Sequence, residues 1–173
     1  MSQIKKVNKL AALLLVSTLT SVSYVSAAEV SIEVNLPASE GSMNYRPYVA
    51  VWVEDENDQT VKTVAVWRKE ADWLKDMRRW WRKAGRYDQG ELDSVTGATR
   101  RPGKHQVIWD ATNQQGEAVP AGDYTLNIEA SREHGSRSWV RQTITLGGKS
   151  QNDQVYTTKA AEELGSMTIK VTQ

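Results

Sequence analysis

The chain has 173 residues, no cysteine and nearly balanced charge, with 22 Lys and Arg against 21 Asp and Glu. The lack of cysteine excludes disulfide bonds, thiol redox chemistry, c-type haem attachment and a lipid-anchored N-terminal cysteine. The balanced charge gives no indication of nucleic-acid binding. The length is that of one ordinary domain, whose stability must come from a packed core alone.

The first 28 residues are predicted to be a secretory signal peptide. Three lysines lie within the first nine residues, an apolar run covers residues 10–16, and small residues continue to Ala28. The apolar run is too short to span a bilayer, and cleavage after Ala27 or Ala28 fits the small-x-small rule. The alternative, a membrane anchor, is disfavoured by the Ser and Thr residues that follow the run. We therefore expect a periplasmic protein without a transmembrane segment.

Removal of this leader changes the charge of the protein. It takes away three lysines, so the 22 basic residues become 19 against 21 acidic ones, and the net charge falls from +1 to about −2. The mature chain, residues 29–173, is predicted to form a single domain. A repeat of fixed period is absent from it.

Strand signals begin at the start of the mature chain. Val30, Ile32 and Val34 alternate with polar residues, which predicts a half-buried strand that ends at Pro37. A loop containing Gly41 and Asn44 follows.

A β-hairpin is predicted next. Residues 46–54 and 60–67 are rich in β-branched and aromatic side chains, and the polar residues 55–58 separate them. Two such runs joined by a short polar turn are typical of paired antiparallel strands.

From Lys69 the apolar spacing changes to three and four, which predicts one amphipathic helix ending near Gly85. Its apolar positions are Trp73, Leu74, Met77, Trp80 and Trp81. Adjacent helical residues point about 100° apart, so at most one of Trp80 and Trp81 can face the core squarely. The other is available to stack on a flat ring. The alternative is that both pack as a wide apolar face against the sheet.

Residues 86–103 show neither helical nor strand periodicity and are predicted to form a long loop, which in a compact domain is usually functional or disordered. Four further strands are predicted at 105–109, 124–130, 139–146 and 167–171. Short strands with regular turn signals indicate an all-β fold. We expect an Ig-like β-sandwich with one inserted amphipathic helix and a long loop.

One segment supports this fold through a resemblance. The run from Trp109-Asp110 through Gly116 to Pro120-Ala121-Gly122-Asp123-Tyr124 resembles the Ig-like sandwich module of flagellar hook-capping and cell-surface proteins. The resemblance covers about a quarter of the chain, and it implies a fold and no activity.

The long loop contains the sequence Asp93-Ser94-Val95-Thr96-Gly97-Ala98-Thr99. It resembles the Asp-x-x-Ser/Thr-Gly-Ala-Thr pattern that bacterial flavin transferases recognise when they attach FMN to protein. The resemblance implies that Thr99 is the acceptor and that Thr96 is part of the recognised pattern. Gly97 and Ala98 keep the chain thin, and Gly97 also permits unusual backbone angles. The Asp93 carboxylate would orient the loop or contact the transferase.

The chain departs from the known pattern after Thr99, and the motif also has an alternative interpretation. The known pattern usually continues with another Ser or Thr, whereas this chain continues with Arg100 and Arg101. The alternative is an unmodified Asx-type turn in which Asp93 caps the amides that follow it.

Cationic residues lie on both sides of the motif. Arg79 belongs to a basic cluster before it, and Arg100 and Arg101 follow it. Guanidinium groups clamp phosphate well, so these side chains are candidates to hold the FMN phosphate or the transferase. The alternatives are a solvated helix face and an anionic membrane surface. The two histidines, His105 and His134, have no metal-ligand spacing, and no nucleophile triad is recognisable.

Four segments together resemble the periplasmic family named domain of unknown function 2271. They are 46–52, 73–81, 93–99 and 129–135. Members of this family resemble components of extracytoplasmic electron-transfer systems, which include a flavin transferase and a PepSY-type membrane redox protein. The resemblance therefore implies these two proteins as partners. Together with the motif, it implies a redox carrier with covalent FMN on Thr99. The stacking and phosphate arguments above add Trp80, Trp81 and Arg79 as further candidate cofactor contacts. The alternative is a cofactor-free binding or assembly module.

Overall fold

Within the residues that the computed structural model describes, which are 28–38, 45–87, 92–147 and 152–173, nine strands form two sheets. Residues 1–27 of the predicted leader, and the loop with Gly41 and Asn44, lie outside these ranges.

The first sheet has four strands in the order β5-β1-β9-β8, all antiparallel to their neighbours. Val30, Ile32 and Val34 are fully buried on its inner face, as their alternation predicts. The strands are β1 (Glu29–Leu36), β5 (Gly103–Trp109), β8 (Gln154–Thr157) and β9 (Thr168–Thr172).

The second sheet has five strands in the order β4-β3-β2-β6-β7. Its strands are β2 (Tyr48–Glu54), β3 (Thr60–Arg68), β4 (Thr96–Ala98), β6 (Gly122–Ser131) and β7 (Arg137–Leu146). The predicted hairpin is confirmed, since β2 and β3 pair antiparallel around the turn after Glu54. Only β4 runs parallel to its neighbour among these described strands.

The main core lies between the two sheets. Trp109 and Tyr124, from the segment that resembles the Ig-like module, meet there edge to face at 5.6 Å between ring centroids. The indole Nε1–H of Trp109 donates to the Thr112 carbonyl oxygen at 2.8 Å, so its polar atom is satisfied. Two sheets facing one apolar core confirm the predicted β-sandwich.

The helical insert, residues 71–85, lies on the outer face of the second sheet. It is amphipathic, as predicted, but three turns of different pitch replace one continuous α-helix. A 3₁₀ segment spans Ala71–Asp76, an α turn spans Arg78–Trp80, and a π-helical turn spans Trp81–Gly85. The break falls at Met77, whose ψ of 70° is not helical.

Gly85 closes the insert because a side chain does not fit there. A Cβ at this position would lie 2.7 Å from Cζ3 of Trp80 and 2.9 Å from Cε3 of Trp81. The local signal predicted a helix end at Gly85, and the reason for glycine is this close approach of two indole rings.

The insert and the second sheet enclose a smaller core. Its fully buried members include Trp52, Met77 and Trp80, and Trp73, Trp81, Val95 and Trp139 pack around it half-buried. All seven residues of β2 are therefore buried, because one face meets the first sheet and the other meets the insert. A strand buried on both faces loses the alternation of polar and apolar residues.

Tyr48 ties the start of the insert to the sheet. Its hydroxyl donates to Oε1 of Glu133 at 2.9 Å and accepts from the Glu70 amide at 3.2 Å. Burial raises the pKa of Tyr48 above its ordinary value; the Glu70 amide opposes this rise and the Glu133 carboxylate adds to it.

Substitution of Tyr48 by phenylalanine is expected to change the alkaline stability profile. A raised pKa in the folded state stabilises the fold fully below about pH 10, and this contribution is lost as the pH rises through the folded value. Tyr48→Phe should cost about 1–2 kcal/mol at pH 7 and show less loss than wild type between pH 10 and pH 11.5, by urea unfolding. Parallel profiles for the two proteins would contradict this assignment.

Candidate functional site

The segment that carries the motif is not a structureless loop. Leu92–Ser94 forms one 3₁₀ turn and Thr96–Ala98 forms strand β4, which the sequence did not predict. The Val66 amide donates to the Val95 carbonyl at 2.9 Å, and the Thr96 hydroxyl donates to the Leu92 carbonyl at 2.6 Å. The motif is therefore held by backbone pairing along the edge of the second sheet.

The motif presents its first and last residues differently. Asp93 and Ala98 are exposed, whereas Thr99 is half-buried where the chain leaves β4. No hydrogen-bond partner is found in the described ranges for the Asp93 carboxylate or the Thr99 hydroxyl. The alternative in which Asp93 caps the following amides is therefore not the arrangement in this structure.

Neither the backbone nor the space around position 97 demands glycine. Its φ lies outside the left-handed region, so the backbone does not demand glycine. A Cβ there would meet the Arg100 guanidinium at 3.7 Å and the Trp67 ring at 3.9 Å, which is ordinary contact. Gly97 lies opposite Trp67 in the β3–β4 register and leaves room beside that ring.

A small aromatic and cationic cluster follows the motif. The Arg100 guanidinium lies over the Trp67 ring at 5.5 Å, and the His105 ring meets the same indole edge to face at 5.5 Å. His105 Nε2–H donates to the Arg101 carbonyl oxygen at 2.7 Å. Thr99, Arg100 and Arg101 thus span the short connection between β4 and β5, the edge strands of the two sheets.

Trp80 and Trp81 differ in burial, as the helical spacing predicts. Trp80 is fully buried; its indole Nε1–H donates to the Thr63 hydroxyl at 3.2 Å, so its ring belongs to the core. Trp81 is half-buried and packs on the cluster that also contains Val95 of the motif. Of the two rings, Trp81 is the partly exposed one.

Arg79 lies apart from Thr99. Its guanidinium stacks on Trp139 of β7 at 4.0 Å from the ring centroid. Strand β7 is four positions from β4 in the sheet. At about 4.8 Å between neighbouring strands, β7 and β4 are roughly 19 Å apart. Arg79 and Arg100, predicted on either side of the motif, therefore lie towards opposite edges of the sheet.

Glu129 is a residue whose role the sequence analysis did not identify. Its carboxylate is fully buried and accepts hydrogen bonds from the amides of Arg79 (3.2 Å) and Trp80 (2.8 Å) and from Nη1 of Arg137 (2.6 Å). It caps the α turn of the insert from a distant strand. Asn127 and Glu129 alternate with apolar residues in β6, a pattern that predicts a wet outer face, so the local sequence carried no signal for this role.

A cleft of about 820 Å³ lies at the far end of the sandwich from the motif. It is bordered by the β2–β3 turn at Asp55 and Glu56 and by residues 113–124. Burial raises the pKa of Tyr124 in this cleft, and the charges of Asp55 and Glu56 add to the rise. Strand β3 begins here and reaches β4 only at its other end, so Thr99 and this cleft are separate places.

A membrane-spanning helix is not found in the described part of the chain, where no helix combines sufficient length with an apolar composition.

Fold and site together define a two-sheet β-sandwich protein with a helical insert on one outer face and an exposed motif on a sheet edge. The chain belongs to the family described as "Predicted periplasmic protein (DUF2271)", whose model matches residues 29–166. This confirms the family resemblance and the predicted periplasmic location.

The chain was also compared with curated proteins and with solved structures. A search of curated proteins finds no match. A solved structure, truncated FlgD from Helicobacter pylori, is similar with 20% identity and a TM-score of 0.33, and the similarity covers 80% of this chain and 76% of that one.

Proposed function

We propose that this periplasmic protein is an electron carrier with FMN attached through a phosphoester to the Thr99 hydroxyl. The observation that carries the proposal is the position of the motif on an exposed sheet edge, with the Thr99 hydroxyl free of any hydrogen bond within the described residues. An acceptor used by a separate transferase has to be reachable and chemically unengaged. Thr99 is partly exposed where the chain leaves β4, and its hydroxyl is unengaged within the described residues, which supports the proposal.

The residues around Thr99 fit a phosphate-linked group. Neither Arg100 nor Arg101 forms an ion pair with a carboxylate in the described ranges, so both are available to an anion. Asp93 and Ala98 are exposed on the approach to Thr99 and suit recognition by a transferase. FMN, when bound, supplies one- and two-electron transfer.

The attachment step is the transfer of the FMN phosphoryl group from the phosphoanhydride of FAD to the threonine hydroxyl. The Thr99 hydroxyl oxygen forms a bond to the flavin-side phosphorus of FAD, the bond to AMP breaks, and the hydroxyl proton is released. The product carries FMN less one water. The chain supplies the acceptor and its setting, and the flavin transferase supplies catalysis. A PepSY-type membrane redox protein is the proposed electron partner.

The test is the intact mass of the protein purified from the periplasm of cells with and without a co-expressed flavin transferase. We expect an added mass equal to FMN less water only with the transferase, located by peptide mapping to the peptide that contains Thr99. An unmodified mass under both conditions would contradict the proposal.

Asp93→Asn is expected to reduce FMN attachment at least tenfold while leaving folding unchanged. The carboxylate is exposed and makes no hydrogen bond in the described part of the chain, so its loss should change stability by less than about 0.5 kcal/mol. Attachment is measured as the modified fraction in the intact mass, and stability by urea unfolding. Asp72→Asn is the matched control, because Asp72 is an exposed aspartate outside the motif. Equal attachment in both variants would show that the Asp93 carboxylate is not recognised.

A cofactor-free binding module is the second candidate, and one observation favours it. The outer face of the first sheet is not covered by the insert, and Ile108 and Val155 are 50% and 65% exposed. A shallow cleft of about 490 Å³ lies on this face beside Lys104 and Lys170. Exposed apolar residues on a sheet face suit docking of another envelope protein. Absence of flavin combined with loss of partner binding in Ile108→Ser would favour this function.

A further inference from the structure

A second cationic site lies away from the motif, on the outer face of the second sheet near the β2–β3 turn. A cavity of about 100 Å³ is lined there by Glu54, Asp58, Arg79, Lys83, Trp139 and Arg141. Three of these side chains are cationic and two are carboxylates, so the lining carries an excess of one positive charge. A cavity of this size suits one small anionic group.

Trp139 organises the cations. Arg79 stacks on its ring at 4.0 Å from the centroid and Arg141 lies 5.4 Å from the same centroid. The Trp139 indole is fixed by its Nε1–H, which donates to Oδ1 of the fully buried Asn127 at 3.1 Å. Stacking satisfies the face of a guanidinium and leaves its in-plane N–H donors open.

The carboxylates of the cavity do not neutralise Arg79. Lys83 Nζ lies 3.6 Å from the buried Glu54 carboxylate, and Arg141 Nη2 lies 3.3 Å from Asp58 in a pair exposed on both sides. The Arg141–Asp58 pair is exposed and therefore weak and screened by salt, whereas the Lys83–Glu54 pair has one buried member. Within the described residues no carboxylate lies within ion-pair distance of the Arg79 guanidinium.

We infer that this cavity binds a phosphoryl group, held by Arg79, Lys83 and Arg141. Arg79 contributes a planar fork of N–H donors, and Lys83 and Arg141 contribute further charge from either side. A bound dianion relieves the repulsion among these three cations, two of which lie over the Trp139 ring. The group comes either from free phosphate or from an anionic lipid headgroup. The site is independent of Thr99, because it lies at the other edge and other end of the sheet.

The experiment uses the full chain with Thr99→Ala, exported to the periplasm, so that no attached FMN phosphate contributes. Inorganic phosphate is titrated by calorimetry and by the thermal midpoint, with chloride at equal ionic strength as reference. Arg79→Gln is expected to weaken phosphate binding at least tenfold. Arg78→Gln, the same charge change at the adjacent exposed residue, should stay within twofold. Arg141→Gln on β7 provides a second variant that leaves the insert intact, with an expected loss of at least threefold.

Vesicles distinguish the two sources of the phosphoryl group. Binding to vesicles of phosphatidylglycerol in phosphatidylcholine, lost in Arg79→Gln and competed by phosphate, supports a lipid headgroup. Phosphate binding without vesicle binding supports a free phosphate. The inference is overturned by a wild-type response to phosphate no larger than to chloride, or by equal losses in Arg79→Gln and Arg78→Gln.

Discussion

Thr99→Ala is expected to abolish covalent FMN in protein co-expressed with a flavin transferase. Alanine has no nucleophilic oxygen, so the phosphoester cannot form at this position. The added mass and the yellow colour should both disappear from the purified protein. Since the Thr99 hydroxyl has no hydrogen-bond partner in the described ranges, the free energy of unfolding should change by less than about 1 kcal/mol.

Two controls make this result specific. Thr99→Ser keeps a hydroxyl at the same place and should retain the FMN mass, with a rate altered by the missing methyl group. Thr143→Ala removes an exposed threonine on β7, far from the motif, and should be modified like wild type. Flavin that persists on Thr99→Ala would show that another residue is the acceptor.

Glu129→Ala is expected to destabilise the protein by about 3–5 kcal/mol, because it breaks a buried charged network. Without the carboxylate, the amides of Arg79 and Trp80 lose their acceptor inside the protein, and Arg137 loses its ion-pair partner. The insert should detach first, so the change is followed by tryptophan fluorescence and by urea unfolding.

The matched control is Glu33→Ala on β1. Glu33 pairs with Lys104 at 2.8 Å on the surface, with 39% and 65% of the two side chains exposed. Exposed pairs contribute about 0–1 kcal/mol. If Glu129→Ala costs no more than Glu33→Ala, the buried carboxylate does not hold the insert. Glu129→Gln should fall between the two, since an amide oxygen still accepts from one of the two backbone donors.

Strand positions were predictable wherever one face of a strand is buried and the other is wet. The alternation of Val30, Ile32 and Val34 is an example. The hairpin of β2 and β3 was predictable for a different reason, because its runs of β-branched and aromatic residues are separated by a short polar turn. Strand β4 was not predictable, because Thr96, Gly97 and Ala98 carry no apolar pattern and pair through backbone hydrogen bonds to β3. Strand β8 was missed for a related reason: it lies at a sheet edge, and Val155 is exposed.

Some features of the candidate site were likewise predictable from the sequence, and others were not. The motif from Asp93 to Thr99 is a local chemical pattern, so sequence alone identified the proposed acceptor, and the structure added its exposed setting. Arg79 was predicted to contact the cofactor because it lies near the motif in sequence. In the structure it stacks on Trp139 across the sheet. The pairing of Glu129 with the insert joins residues about 50 positions apart, and no local pattern encodes such a contact.

The sequence by itself determined the periplasmic family, the strand-rich composition, the amphipathic insert and the proposed acceptor threonine, because each depends on periodicity or on a short motif. Only the tertiary structure decided which faces of the sheets are covered and where the cations gather. It also broke the expected continuous helix at Met77 into turns of three pitches. The rings of Trp80 and Trp81 close on Gly85 at the end of the insert. Packing between distant segments overrides local helical preference when the two conflict.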